Sequence, residues 1–214
     1  MSEMNNNLAR EIARALLAIN AVVLRPNEPF TWASGMKSPI YCDNRLTLSY
    51  PEVRKMIAEG FVSLIKENYP DTEVIAGTAT AGIPHAALVA DKLQLPMIYI
   101  RDKAKGHGKQ NQIEGQLQAG KKVIVIEDLI STGGSSLKAT TAVKEAGAQA
   151  TAVLAIFSYQ LNDATEAFSK ESIPLQTLSN YSTLLELALE EGIIDQDQLR
   201  LLESWRANPW EFGN

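Results

Sequence analysis

Between residues 73 and 159 the chain alternates short apolar runs with helix-patterned segments. The runs are EVIAG (73–77), PMIYIR (96–101), KVIVIED (122–128) and ATAVLAIFSY (150–159). IPHAALVADKL lies between the first two as a helix. SSLKATTAVKEA lies between the last two, with Gly147 as a C-terminal stop. A strand that is apolar throughout has no solvent face and must be covered on both sides. Alternation with helices supplies that cover, and the pattern predicts a parallel α/β sheet flanked by helices.

Outside this alternation, Leu8, Ile12, Leu16 and Ile19 recur at helical spacing and predict a helix over about 7–20. AVVL (21–24) reads as a short strand, and the Pro/Ser/Gly-rich stretch that follows reads as loop or irregular β. YPEVRKMIAEGFVSLIKENY reads as a helix with Pro51 in its first turn. STLLELALEEG and DQDQLRLLESWR read as terminal helices capped by Ser182 and Asp195. Neither a repeat nor a linker divides the chain. The expectation is one domain, 1–214, with a core over about 50–160 and a small hood lobe from about 1–49 and 161–214.

No apolar run approaches the ~20 residues that span a bilayer. The N-terminus mixes acids and arginines and lacks the basic start and apolar block of a secretory signal. The single cysteine, Cys42, excludes an internal disulfide framework and suits a reducing compartment, so a cytoplasmic protein with no membrane partner is expected. A net charge of −5 argues against a broad nucleic-acid surface. One segment runs against that balance: RDKAKGHGKQNQ sets Arg101, Lys103, Lys105 and Lys109 against a lone acid, Asp102. A local basic segment in an acidic chain suits a small anionic ligand.

The run VIVIEDLISTGGSS (123–136) carries the most chemistry. Glu127 and Asp128 fall at the carboxyl end of a strand, where parallel α/β sheets bind ligands. Gly133 and Gly134 let backbone approach a ligand, and the amides opening the next helix favour a phosphate. Ser131, Thr132 and Ser135 add hydroxyl donors. A phosphate cradle beside two carboxylates suits a ligand with an anion and a diol, the carboxylates taking sugar hydroxyls or helping to hold Mg²⁺. Two common phosphate motifs are excluded. GQLQAGKK (115–122) has Lys122 where a P-loop needs Ser or Thr and precedes a strand, and no G-x-G-x-x-G follows one.

VIVIEDLISTGGS resembles the phosphoribosyl-pyrophosphate (PRPP) motif of the type I phosphoribosyltransferases. FTWASGMKSPIYCDNR, AGTATAGIPHA and RDKAKGHGKQNQIEG resemble, in order, the substrate-binding segment, pyrophosphate loop and catalytic loop of the orotate-using members. The resemblance implies that family's sheet and hood, and transfer of ribose 5-phosphate from PRPP to orotate, with release of pyrophosphate. It implies PRPP contacts from Arg101, Lys105, His107, Glu127, Asp128, Leu129, Ile130, Ser131, Thr132, Gly133, Gly134 and Ser135. Lys105, His107 and Asp128 would be catalytic, and Ser131, Lys37, Ser38 and Tyr41 would meet orotate. Mg²⁺, held mainly by PRPP, would be the cofactor. It further implies a cis peptide within GTATAG, at Ala79–Thr80, and a homodimer in which the basic loop covers the neighbouring site. The chain departs from other members at Ala33, Thr80, Ala81, Asp102 and Tyr159.

The expected chemistry is electrostatic. Positive charge grows on the ribose and negative charge on the departing pyrophosphate. Arg101 can hold two oxygens at once, while Lys105 supplies a point charge. Gly106 and Gly108 flank His107 in a loop of low apolar content, suited to closing over the ligand. His85 reads as a packed or capping histidine, Cys42 as a small buried side chain, and Trp205 and Trp210 as core or interface anchors. Two rivals remain: a purine phosphoribosyltransferase, and a PRPP-sensing regulator that binds nucleic acid. The regulator would need an added basic face or DNA-binding helix pair, and neither is evident.

Overall fold

A computed structural model describes residues 3–31, 35–102 and 112–212. In chain order the elements are α1 (Glu3–Ala18), β1 (Val22–Leu24), β2 (Phe30–Thr31), β3 (Lys37–Ser38), β4 (Ile40–Cys42), a 3₁₀ turn (Asn44–Ser49), α2 (Pro51–Asn68), β5 (Val74–Thr78), α3 (Gly82–Leu93), β6 (Met97–Ile100) and β7 (Ile113–Glu114). There follow β8 (Lys122–Ile130), α4 (Gly134–Glu145), β9 (Gln149–Ser158), α5 (Asn162–Lys170), β10 (Leu175–Asn180), α6 (Tyr181–Glu190) and α7 (Gln196–Ala207).

Six strands form the central sheet in the order β10-β9-β8-β5-β6-β7. All neighbours are parallel except β7, which runs against β6. Alternate residues of the central strands serve two cores. Ile75, Ile124, Ile126, Leu154 and Ile156 pack with Ile12 and Leu16 of α1 and Ile57 and Phe61 of α2. Val74, Ala76, Val123, Val125, Val153 and Ala155 pack with Val143 of α4 and Phe168 of α5. This double burial is why the strands are apolar throughout. Cutting back one central side chain, as in Ile124→Ala, would cost about 2–5 kcal/mol.

Three short elements went unread in the sequence. β10 (LQTLSN) is an edge strand, half-buried over much of its length, so it lacks an apolar run. α5 buries only Ala164 and Phe168, four residues apart. β7 has two residues. β10 pairs with β9, so the sheet continues past residue 160, where the apolar pattern placed the end of the core. α1 lies against this extension, with Ser179 Oγ donating to the Ala9 carbonyl at 2.8 Å. Arg10 and Arg14 of α1 pair with Glu190 and Glu191 at the end of α6.

Asp195 caps α7 as expected, with a reciprocal bond from Gln198. Ser182 does not cap α6. Asn180 takes that role, accepting from the Thr183 amide at 3.0 Å, and Ser182 gives its amide and hydroxyl to Gln160 instead. The expected loop or irregular β of residues 25–44 holds the small antiparallel β2–β3 ladder, and its β4 pairs antiparallel with β1 just before it. With the 3₁₀ turn and α7 they form a lobe beside the carboxyl ends of β8 and β9.

Candidate active site

β8 outlasts β5. Its last pairing with β5 is Ile126–Gly77, yet its ladder with β9 runs on to Ile130–Ser158. Residues 127–130 therefore have a sheet neighbour on one side only, and the other side opens as a cleft. The Glu127 side chain is buried, and its carboxylate accepts from the Asp128 amide, Ser135 Oγ and Ser136 Oγ, each at 3.1 Å. Burial and the adjacent Asp128 push Glu127 up to about 8, and burial also raises Asp128. Two neighbouring carboxyls in so little water cannot ionise independently, so they titrate as a pair.

Residues 131–133 turn the chain into α4. Gly133 has φ +81°, and a Cβ there would lie 2.6 Å from Phe168 Cε2. Only glycine meets both demands. Gly134 and Ser135 are exposed at the helix start. The Ile130 side chain is buried and its carbonyl accepts from the Tyr159 amide at 3.1 Å.

Across the cleft, the Ala79–Thr80 peptide is cis, as expected. Gly82 opens α3 so close to β8 that a Cβ would sit 2.4 Å from the Ile126 carbonyl oxygen. Thr78, Ala79, Arg101, Asp102, Ser135 and Lys138 line a small recess here. Arg101 is half-buried and lies 3.3 Å from Glu114 Oε1. Among the described residues, the buried Thr78 Oγ1 has no protein partner. A second recess of about 380 Å³ lies under the hood, lined by Phe30, Thr31, Tyr41, Cys42, Leu129, Ser131 and Tyr159. Its walls are largely apolar and aromatic, suited to a flat ring. Lys37 Nζ reaches the rim, donating to Thr31 Oγ1 at 2.9 Å.

A family model for the phosphoribosyl transferase domain matches residues 46–174. The chain is 59% identical over 206 residues to the orotate phosphoribosyltransferase of Enterococcus faecalis strain OG1RF, covering 96% of this chain and 98% of that one. It is 60% identical over 205 residues to the Bacillus subtilis strain 168 orotate phosphoribosyltransferase, covering 96% and 95%. The chain belongs to the orotate phosphoribosyltransferase family. Within it, the solved structure from Aeropyrum pernix aligns with a TM-score of 0.75 at 26% identity, over 86% of this chain and 99% of that one.

Orotate phosphoribosyltransferase motifs read in the sequence gather at one place in the fold. Glu127, Asp128, Leu129, Ser131, Thr132, Gly133, Gly134 and Ser135 surround the end of β8, with Arg101 across the cleft. Lys105 and His107 lie outside the described residues, as does Ala33. Tyr41 and Ser131 line the base-sized recess. Ser38 does not: it is buried, and its hydroxyl bonds the backbone of Ile40 across Pro39, between β3 and β4. Leu129 reaches the recess through its side chain, whereas Ile130 has only backbone near the cleft. Sequence reasoning missed Ser136, Lys138, Thr78 and Phe30. Ser136 ends the quoted run, and Lys138 lies about one helical turn beyond Ser135. Thr78 and Phe30 lie inside the quoted AGTATAGIPHA and FTWASGMKSPIYCDNR segments but were not singled out there.

Proposed function

We propose that the chain binds PRPP across the end of β8 and transfers its ribose 5-phosphate to orotate, giving orotidine 5′-monophosphate and pyrophosphate in pyrimidine biosynthesis. One observation carries this reading: a buried carboxyl pair joins an anion-cradling turn and a ring-sized recess at a single strand end. The amides and hydroxyls of 131–135 hold the 5′-phosphate. Asp128, the more exposed of the pair, faces the ribose hydroxyls. Arg101, Thr78 and Lys138 receive pyrophosphate, joined by Lys105 and His107. Orotate lies in the recess between Tyr41, Ser131 and Tyr159, with Lys37 at its rim.

Among the described residues, no group of three or more His, Cys, Asp or Glu could hold a metal ion alone. Mg²⁺ would be held by PRPP phosphates and hydroxyls, with Asp128 as the nearest protein carboxylate. When bound, Mg²⁺ neutralises charge on the leaving pyrophosphate. The chain's own contribution is to fix the ribose phosphate, aim the base and supply cations where negative charge grows.

The working unit is a cytoplasmic homodimer, its basic loop reaching the neighbour's site. Two-fold dimers are the commonest oligomers. Lys105→Ala and Asp128→Ala dimers should each be inactive, and subunit exchange between them should restore activity. Exchange without recovery would place the loop in its own subunit. The reaction is tested by pyrophosphate release from PRPP and Mg²⁺ with orotate, adenine, hypoxanthine or uracil. Turnover with a purine and not with orotate overturns the proposal.

A further inference from the structure

Trp205 lies in α7, 168 residues along the chain from the β3 strand it touches. It is fully buried, and its indole Nε1 donates to the Lys37 carbonyl at 3.1 Å. Its ring meets Tyr159 edge-on, with centroids 5.6 Å apart and planes at 87°. Tyr181 packs on the same indole at 5.6 Å, and its hydroxyl donates to the Leu202 carbonyl at 3.0 Å, which anchors α7 in turn.

Two of these partners lead to the recess under the hood. Tyr159 is one wall. Lys37 pairs with Thr31, and its neighbour Ser38 with Phe30, in the β2–β3 ladder, and the Lys37 ammonium also reaches Thr31. The remaining wall comes from β4 and β8, through Tyr41, Cys42 and Leu129. One side chain from the C-terminal helix thus sets the spacing between a hairpin and a sheet strand that have no backbone ladder between them.

We propose that Trp205 is a positioning residue for the nucleobase. Its N–H fixes the height of the β2–β3 hairpin above Tyr159, and so fixes the width of the recess. This rests on the reading of that recess as the orotate site. The phosphate turn and carboxyl pair are held by other contacts, from Ser135, Ser136 and Asn44. Base binding and PRPP binding should therefore separate on mutation.

The test compares wild type, Trp205→Phe and the control Leu201→Ala, an exposed position of the same helix. Steady-state pyrophosphate release gives KM for orotate and for PRPP separately. Loss of one hydrogen bond that orders a wall should raise the orotate KM about fivefold or more, with kcat and the PRPP KM changed less than about twofold. Leu201→Ala should match wild type. An unchanged orotate KM, or equal rises in both KM values, overturns the inference. If Trp205→Phe does not fold, Trp205 is replaced by its benzothiophene isostere, which keeps the ring shape and lacks the N–H. The same split is expected, and failure of that protein to fold would assign the N–H to folding and overturn the inference. Wild type inactive with orotate would instead remove the reading of the site.

Discussion

The side-chain amide of Asn44 donates to the backbone carbonyl of Asp128 at 2.7 Å. Asn44 is fully buried, and its Oδ1 accepts from the Cys42 thiol at 3.4 Å. β5 stops pairing with β8 at Ile126. Two residues further on, the hood supplies a partner that the sheet no longer does. Asn44→Ala should leave that carbonyl unpaired and cost about 1–3 kcal/mol of stability. It should lower kcat by about tenfold through a displaced Asp128. Denaturant melts and pyrophosphate release read the two effects. Unchanged kcat in a folded Asn44→Ala protein would separate the hood from the acid.

Two buried groups give the ligand-free protein a distinctive pH dependence. Glu127 is raised from 4.5 to about 8, so the folded state holds a proton there that the unfolded chain releases, and stability falls as pH rises through that window. His85 is lowered by burial from 6.5 to about 4, so its contribution has the opposite sign and rises between those values. The slopes oppose each other up to about pH 6.5. Above it the histidine no longer contributes, and Glu127, titrating together with Asp128, accounts for at most ~2 kcal/mol by pH 8. Melting temperature should fall from pH 6.5 to 8 in wild type and much less in Glu127→Gln. Parallel curves for the two proteins refute the assignment.

Gly133→Ala forces an L side chain into φ +81° and drives its Cβ against Phe168. A loss of roughly 1–3 kcal/mol is expected. Because the proposed 5′-phosphate cradle is this same turn, the PRPP KM should rise more than the orotate KM. Thermal melts and the ratio of the two KM values check it. A stable variant with an unchanged ratio would show that the turn is not under this constraint.

Asp128→Asn keeps the shape of the side chain and removes its charge. It should melt near the wild-type temperature and lose most turnover, because the ribose then develops positive charge without a carboxylate beside it. Near-normal pyrophosphate release would remove Asp128 from the chemistry.

The buried middle of the fold was legible because chemistry there leaves no choice. Residues such as Val123 to Ile126 pack on both faces, and a run of branched apolar residues is what that demands. β10 escaped notice for the converse reason, since an edge strand tolerates Gln, Thr, Ser and Asn. At the site, Glu127 to Ser135 lie together in sequence because strand and turn are contiguous. The recess under the hood is assembled from residues as distant as Phe30 and Tyr159, with Trp205 behind them. Their meeting depends on tertiary packing, which leaves no periodic trace. Ser38 could not be told apart from a ligand contact for a similar reason: its hydroxyl is spent on the backbone of Ile40, a local bond that no residue pattern announces.

Because β8 is paired with β9 as far as Ile130, the distance from Glu127 and Asp128 to the phosphate turn is fixed by sheet register. Inserting one residue between Lys122 and Ile126 would exchange the two faces of the strand and turn both acids the wrong way. The hood is held differently, through single side chains such as Asn44 and Trp205 that reach a backbone carbonyl. Its hairpins can change length and composition while those two contacts persist. A chain of this architecture is therefore free to change its nucleobase by altering the hairpins, while its sugar phosphate is written into the register of a strand.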